Sequence, residues 1–342
     1  MKKKLFIGID FSKKSFDVSV KHEDKIELED YQQFENNKEG YASLLKWVKT
    51  LSDEPAVSWL FCGEHTGLYS VCLSEFLIKK GFFVWLENPL QIKQSCGIKR
   101  DKNDRADSRA IALYAYRFQD RARACQLPKK SLQSLELLIA FRERLLSNKH
   151  SLLVSATEIR AVKQRNPTAR FIYEQSKQDI ERINKEIKEV EKRMLQEIES
   201  EEPLLENYKL VSSIKGIALI NTVAILVATQ NFTRFDNSRQ FACYSGMAPF
   251  GRQSGTSLNA QARVSHLADK KIKSLLTQAA ICAINYDPNI KRYYRRKLSE
   301  GKDRWLIVNN IRNKMIHRIF AIVKSKQLYQ VDYENQTDKS VA

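Results

Sequence analysis

The chain has 342 residues, 43% of them hydrophobic, which is too long for one ordinary core and suggests two or three domains. Its formal net charge of +18 and pI near 9.5 favour a polyanionic partner, namely DNA, RNA or an anionic membrane. The membrane is the weakest of these, because no apolar run reaches the roughly 18 residues of a spanning helix. The amino-terminal stretch reads as a strand rather than a secretory signal, and six singly placed cysteines lack zinc-ligand spacing, so they read as reduced thiols in a cytoplasm.

In chain order, residues 4–10 form an apolar run ending in Asp10, and residues 16–20 alternate as FDVSV across a short turn, so the two predict a hairpin. Residues 27–34 supply a third strand and 40–51 a helix. The apolar run 56–62 predicts a buried strand followed by Glu64, a second acid at a strand end. A helix over 68–80 stopped by Gly81, a strand over 82–86 and a loop at Asn88-Pro89 complete an α/β pattern across the first 120 or so residues.

Residues 99–112 read KRDKNDRADSRAIA and carry Asp101, Asp104 and Asp107 at spacing three, so neighbouring members share a face of any helix that starts there. Two readings stay open on spacing alone. The acids are helix-start charges favoured by the macrodipole, or some of them join Asp10 and Glu64 around a divalent cation. Oxygen donors without histidine or cysteine suit Mg²⁺ or Mn²⁺, and two such ions about 4 Å apart can drive phosphodiester chemistry.

From residue 131 to about 202 glycine vanishes and apolar residues recur at helical intervals, interrupted at Asn166-Pro167, which predicts two long helices in a hairpin or coiled coil. Residues 210–229 place Gly216 in a turn between apolar helical halves, either an ordinary helix pair or a turn offering N–H groups to phosphate. Residues 244–257 form the most turn-rich patch. Helices are expected over 270–286 and 306–324, with the basic cluster Lys291, Arg292, Arg295, Arg296 and Lys297 before the last, and a polar tail after 330.

Several motifs together resemble the DEDD insertion-sequence transposases, a family that includes Piv-type DNA invertases. They are G-I-D-x-S-x-x-x-F-D-V at 8–18, G-E-H-T-G-L-Y at 63–69, E-N-P at 87–89 and D-R-A-D-S-R-A-I-A at 104–112. S-I-K-G-I at 213–217, F-A-C-Y-S-G-M-A-P at 241–249 and R-Q-S-G-T at 252–256 follow in order. The resemblance implies a RuvC-like catalytic domain of RNase H fold (1–125), a helical coiled-coil region (126–205), a mainly α-helical carboxyl-terminal transposase domain with a serine loop (206–330) and a tail (331–342). It implies Asp10, Glu64, Asp104 and Asp107 as metal ligands, Asp101 as a bystander, and Ser254 as the serine that becomes covalently linked to DNA, with Ser245 and Ser257 as rivals and His266 structural. It further implies a structured guide RNA and a homo-oligomer, dimer to tetramer, joining the carboxylate site of one subunit to the serine of another. Nucleoid-associated cytoplasm is the expected location.

Lys99, Arg100, Arg105, Arg109, Arg252, Arg295 and Arg296 are the expected phosphate-contacting cations. Ser108 stands where the family usually has alanine, and Ala218 where a helix-hairpin-helix motif has its second glycine. The competing expectations are a metal-dependent Holliday-junction resolvase or nuclease, an actin-like kinase or ATPase, for which adjacent glycines are lacking, and a non-enzymatic nucleic-acid scaffold.

Overall fold

The computed structural model describes residues 2–25, 30–65, 67–97, 103–254, 258–264 and 268–331; at residue 68, 249–254 and 258–264 it describes the backbone alone. The chain divides into two compact units, Met1–Leu127 and Pro128–Ala342.

The first unit is built on a five-stranded sheet. Strands β1 (Leu5–Phe11), β2 (Ser15–His22) and β3 (Asp30–Glu35) precede helix α1 (Lys38–Leu51). Strand β4 (Trp59–Glu64), helix α2 (Leu68–Lys79), strand β5 (Phe83–Glu87) and helices α3 (Pro89–Ser95) and α4 (Asp104–Arg117) follow. The order across the sheet is β3-β2-β1-β4-β5, with β1, β4 and β5 parallel and the β1–β2–β3 meander antiparallel.

Side-chain alternation gives the sheet two apolar faces. Leu5, Ile7, Ile9, Phe16, Val18, Trp59, Phe61 and Val84 pack against α1 and α2, while Phe6, Leu60, Cys62 and Trp85 pack against Ile92 of α3 and Ile111, Tyr114 and Ala115 of α4. Gly8 lies on the second face. A Cβ there would stand 2.2 Å from the Ala112 nitrogen and 2.4 Å from the Ser108 carbonyl oxygen, so only glycine lets α4 lie this close to β1.

The second unit is helical apart from one hairpin. Helices α5 (Lys130–Ile159) and α6 (Pro167–Glu199) pack together, and Asn166 caps α6 through its side-chain oxygen, with Pro167 at the first helical position. Arg142 Nε pairs with Glu191 at 2.8 Å between them. Then come α7 (Glu202–Ser212), α8 (Leu219–Ala228), α9 (Ser238–Tyr244), strands β6 (Pro249–Ser254) and β7 (Leu258–Val264), α10 (Lys270–Tyr286), α11 (Pro288–Ser299) and α12 (Arg304–Ser325). Leu135, Ile187 and Met194 of the long pair share one continuous core with Val223, Phe241, Leu276 and Ile311, so α5 and α6 are part of the same folded body as the later helices.

Local expectations are corrected at three places. Asn88-Pro89 starts α3 instead of a loop: the Asn88 side chain accepts from the Leu90 N–H at 2.9 Å, and proline at the first helical position forfeits no helical hydrogen bond. Residues 56–58 make a 3₁₀ turn, so β4 begins at Trp59. The turn-rich patch contains an antiparallel hairpin, Ser254 opposite Leu258, hidden in the sequence by its glycine and serine content. Among the described residues no helix is long and apolar enough to cross a membrane.

Candidate active site

Strand register assembles a polar row across the sheet. Gln33 of β3 pairs with Asp17 of β2, Asp17 with Asp10 of β1, and Glu64 of β4 with Glu87 of β5. Ile9 opposite Gly63 sets Asp10 beside Glu64. Because register partners project to one face, and Gly8 two residues before Asp10 abuts α4, the row emerges on the face that α4 covers. Asn103 caps that helix, its side-chain oxygen accepting from the Ala106 N–H at 2.7 Å, so Asp104 and Asp107 lie in the first turn. The positive end of the helix dipole favours carboxylates there.

Asp10 is half-buried, and its pKa is pushed up to about 7, first by burial and then by the charges of Glu64, Asp107, Asp104 and Asp17. The four acids of the expected set therefore act on one another. Among the described residues no three of histidine, cysteine, aspartate and glutamate are gathered closely enough to hold a metal ion as they stand. The donor chemistry nevertheless fits a hard divalent cation: every group is a carboxylate, and Asp10 resists ionisation because it is half-buried beside like charges.

Asp17, Tyr31 and Glu87 are additions that the sequence reading passes over. Asp17 is 2% exposed and accepts from the Tyr31 hydroxyl and from Gln33 Nε2 at 3.1 Å. That hydrogen bond, followed by burial, pushes Tyr31 up to about 12. The Arg105 guanidinium lies 5.1 Å from the centre of the Tyr31 ring, which ties β3 to the first turn of α4. One turn on, Ser108 is fully buried and shares a 2.9 Å hydrogen bond with Ser19 of β2. A hydroxyl at this position thus has a specific partner. Glu87 accepts from the Tyr114 hydroxyl at 3.1 Å, and burial together with that carboxylate pushes Tyr114 up to about 12.

The other expected residues are scattered or lie outside the described residues. Lys99, Arg100, Asp101, Ser257 and His266 are not among the described residues, and for Arg252 and Ser254 only the backbone, on β6, is described. Ser245 is fully buried and donates to the Phe241 carbonyl at 2.7 Å, which occupies it as a helix-end hydroxyl. Arg109 is exposed, and Arg295 and Arg296 lie exposed on α11, where Arg296 Nε approaches Glu300 at 3.9 Å. At Gly216, with φ of +94°, a Cβ would meet the Ala279 carbonyl oxygen of α10 at 2.5 Å, so close packing on α10 explains this glycine without a phosphate.

Residues 7–158 match the IS110-type DEDD transposase domain, and residues 208–295 match the Transposase IS116/IS110/IS902 family. The chain is 26% identical over 330 residues to the pilin gene-inverting protein of Moraxella bovis, covering 95% of this chain and 97% of that protein. The counterpart from Moraxella lacunata is equally similar. An uncharacterized 43.6 kDa protein of insertion element IS110 from Streptomyces coelicolor is 25% identical over 130 residues, 37% of this chain and 32% of that protein. With both family domains present in order and together spanning well over half its length, the chain belongs to the IS110 family of transposases and is a DNA-rearranging enzyme.

Proposed function

We propose that the enzyme cuts and rejoins DNA by joining two chemistries, a divalent-cation site on Asp10, Glu64, Asp104 and Asp107 and a nucleophilic hydroxyl on Ser254. The observation that carries the first is the placement of Asp10 and Glu64 at adjacent strand ends on the face covered by α4, whose first turn holds Asp104 and Asp107. The strand order β3-β2-β1-β4-β5 with an antiparallel meander supports a RuvC-like, RNase H type catalytic domain over 1–125. When bound, Mg²⁺ or Mn²⁺ supplies Lewis acidity and neutralises charge at the phosphodiester. The chain supplies the rest. The four carboxylates hold the cation, the α4 dipole and the Asn103 cap fix two of them, and the Ser254 oxygen attacks phosphorus. In that step the Ser254 Oγ–P bond forms, the serine proton is lost, and the strand oxygen leaves and takes up a proton. Attack by the hydroxyl of the new partner strand later breaks the Oγ–P bond and restores the serine. Ser254 is the last residue of β6, opposite Leu258 of β7.

The remaining parts of this reading concern partners. A structured guide RNA selects the DNA, which the family resemblance and the +18 charge support. The chain works as a homo-oligomer at the nucleoid, with the α5–α6 coiled-coil region (126–205) as the contact and the serine domain over 206–330. Exposed apolar side chains along α5 and early α6, including Leu137, Phe141, Val154 and Phe171, support that contact. The near full-length similarity to pilin gene-inverting proteins favours a second reading of the biological event, inversion of a segment instead of transposition.

The test is a covalent adduct. With DNA carrying the sequences that flank its gene, the wild type should leave a protein–DNA adduct in Mg²⁺, Ser254→Ala should leave none, and Asp10→Asn should leave none while still binding DNA. An adduct that persists in Ser254→Ala sinks the serine assignment, and clean hydrolysis without any adduct favours a plain metal-dependent nuclease.

A further inference from the structure

Glu87 opens the E-N-P motif and, like Asp17, is an acid of the polar row outside the four-carboxylate set. It follows Trp85 by two residues on β5, so it projects toward α4. Its Oε2 accepts from the Tyr114 hydroxyl at 3.1 Å and its Oε1 from the Asn88 N–H at 2.7 Å. Each carboxylate oxygen can accept again.

Beside it opens a cavity of about 380 Å³ whose lining includes Glu87, Gln91, Tyr114, Arg121 and Arg123. One wall is the extended segment after α4, pinned to β5 by the Cys125 N–H donating to the Val84 carbonyl at 2.7 Å. Arg121 rests over the Phe118 ring, 5.2 Å from its centre, and meets its neighbour Asp120 only at 3.9 Å. Both arginines are exposed, whereas Glu87 is half-buried beside the Tyr114 phenol. The volume falls in the range of small-ligand pockets, and its charged groups are two guanidinium cations and one carboxylate.

We propose that this cavity takes one unpaired nucleotide of a bound nucleic-acid strand, Glu87 accepting from the exocyclic amine of its base and Arg121 and Arg123 holding its phosphate. A carboxylate accepts from the N4 amine of cytosine and faces only a carbonyl acceptor at the same edge of thymine, so Glu87 makes the pocket discriminate. The guanidinium forks match a phosphate, and the aromatic residues Trp85 and Tyr114 are part of the lining. The proposal rests on nucleic acid being the substrate, but on neither the metal site nor Ser254.

The experiment uses the full chain without divalent metal and reads fluorescence anisotropy of labelled oligo-dC and oligo-dT, each about ten nucleotides long. Oligo-dC should bind about tenfold more tightly than oligo-dT. Glu87→Gln keeps an oxygen for Tyr114 but adds a donor for the thymine carbonyl, so the preference should vanish. The double variant Arg121→Ala/Arg123→Ala, at exposed positions, should weaken both oligomers and keep the preference. Running oligo-rC against oligo-rU separates a DNA from an RNA source, since the preference appears in one or both sugar series. Its absence from both, or its survival in Glu87→Gln, overturns the pocket. Failure of every oligomer to bind overturns the pocket together with the nucleic-acid reading.

Discussion

At Asp10, burial and like charge oppose ionisation of the carboxyl group. Its pKa near 7 lies above the ordinary aspartate value of 3.8, so between those pH values the folded chain keeps a proton that the unfolded chain has released. Stability from this group is therefore fully present below about pH 3.8 and is lost as pH rises through about 7. Without divalent metal, the melting temperature of the wild type should fall across that window more than that of Asp10→Asn. At pH 8 the variant should be the more stable by about 1 kcal/mol, after allowance for solvent screening of a half-exposed group. A wild type and variant with parallel pH curves would contradict this. Gly8 gives the opposite case, a residue that the fold cannot replace. Gly8→Ala should cost about 2–3 kcal/mol in urea unfolding, because the added methyl group meets backbone atoms of α4 that cannot rotate away. Asp10 and Glu64 are legible in the sequence, since each closes an apolar run of strand length. Asp17 and Glu87 stand inside the F-D-V and E-N-P motifs, but their place in the row exists only once strand register is set.

Among the elements, α4 does the most to make the site. Its cap, its dipole, the glycine beneath it and the Tyr31–Arg105 contact all act on the same first turn. Asn103→Ala should cost about 1 kcal/mol of stability and, by loosening Asp104 and Asp107, raise the Mg²⁺ concentration needed for half-maximal cleavage. Asn166→Ala removes the equivalent cap from α6 and should match the stability cost while leaving the Mg²⁺ requirement unchanged. A common shift in both variants would show that stability alone, and not the aspartate turn, sets metal dependence. Helices of the second unit are largely legible from their 3.6-residue period, as at Ile183, Ile187, Val190 and Met194, all of which are buried. The β6–β7 hairpin is not, because its glycines and serines are equally the composition of a loop, and pairing rather than side-chain period defines it.

For the whole molecule, the two faces of the first sheet have their cores completed by α1 to α4, all within residues 1–127. A fragment of residues 1–127 should therefore fold alone with a cooperative thermal transition, checked by circular dichroism, and the metal-free pH dependence of its stability should reproduce that of the full chain. A fragment without a transition would show that its two cores are insufficient. Periodicity could announce α5 and α6 but not where they belong. The burial of Leu135 and Met194 in a core with Phe241 and Ile311 is a long-range fact that no local pattern carries.

The row of acids also bears on how this enzyme responds to selection. Neutralising Asp10 relieves burial of charge and repulsion in the metal-free chain, so a screen for heat resistance should enrich for substitutions at this position. Thermostable and competent descendants would have to gain their stability elsewhere, for instance in the second unit's helix caps, where no carboxylate of the row is involved.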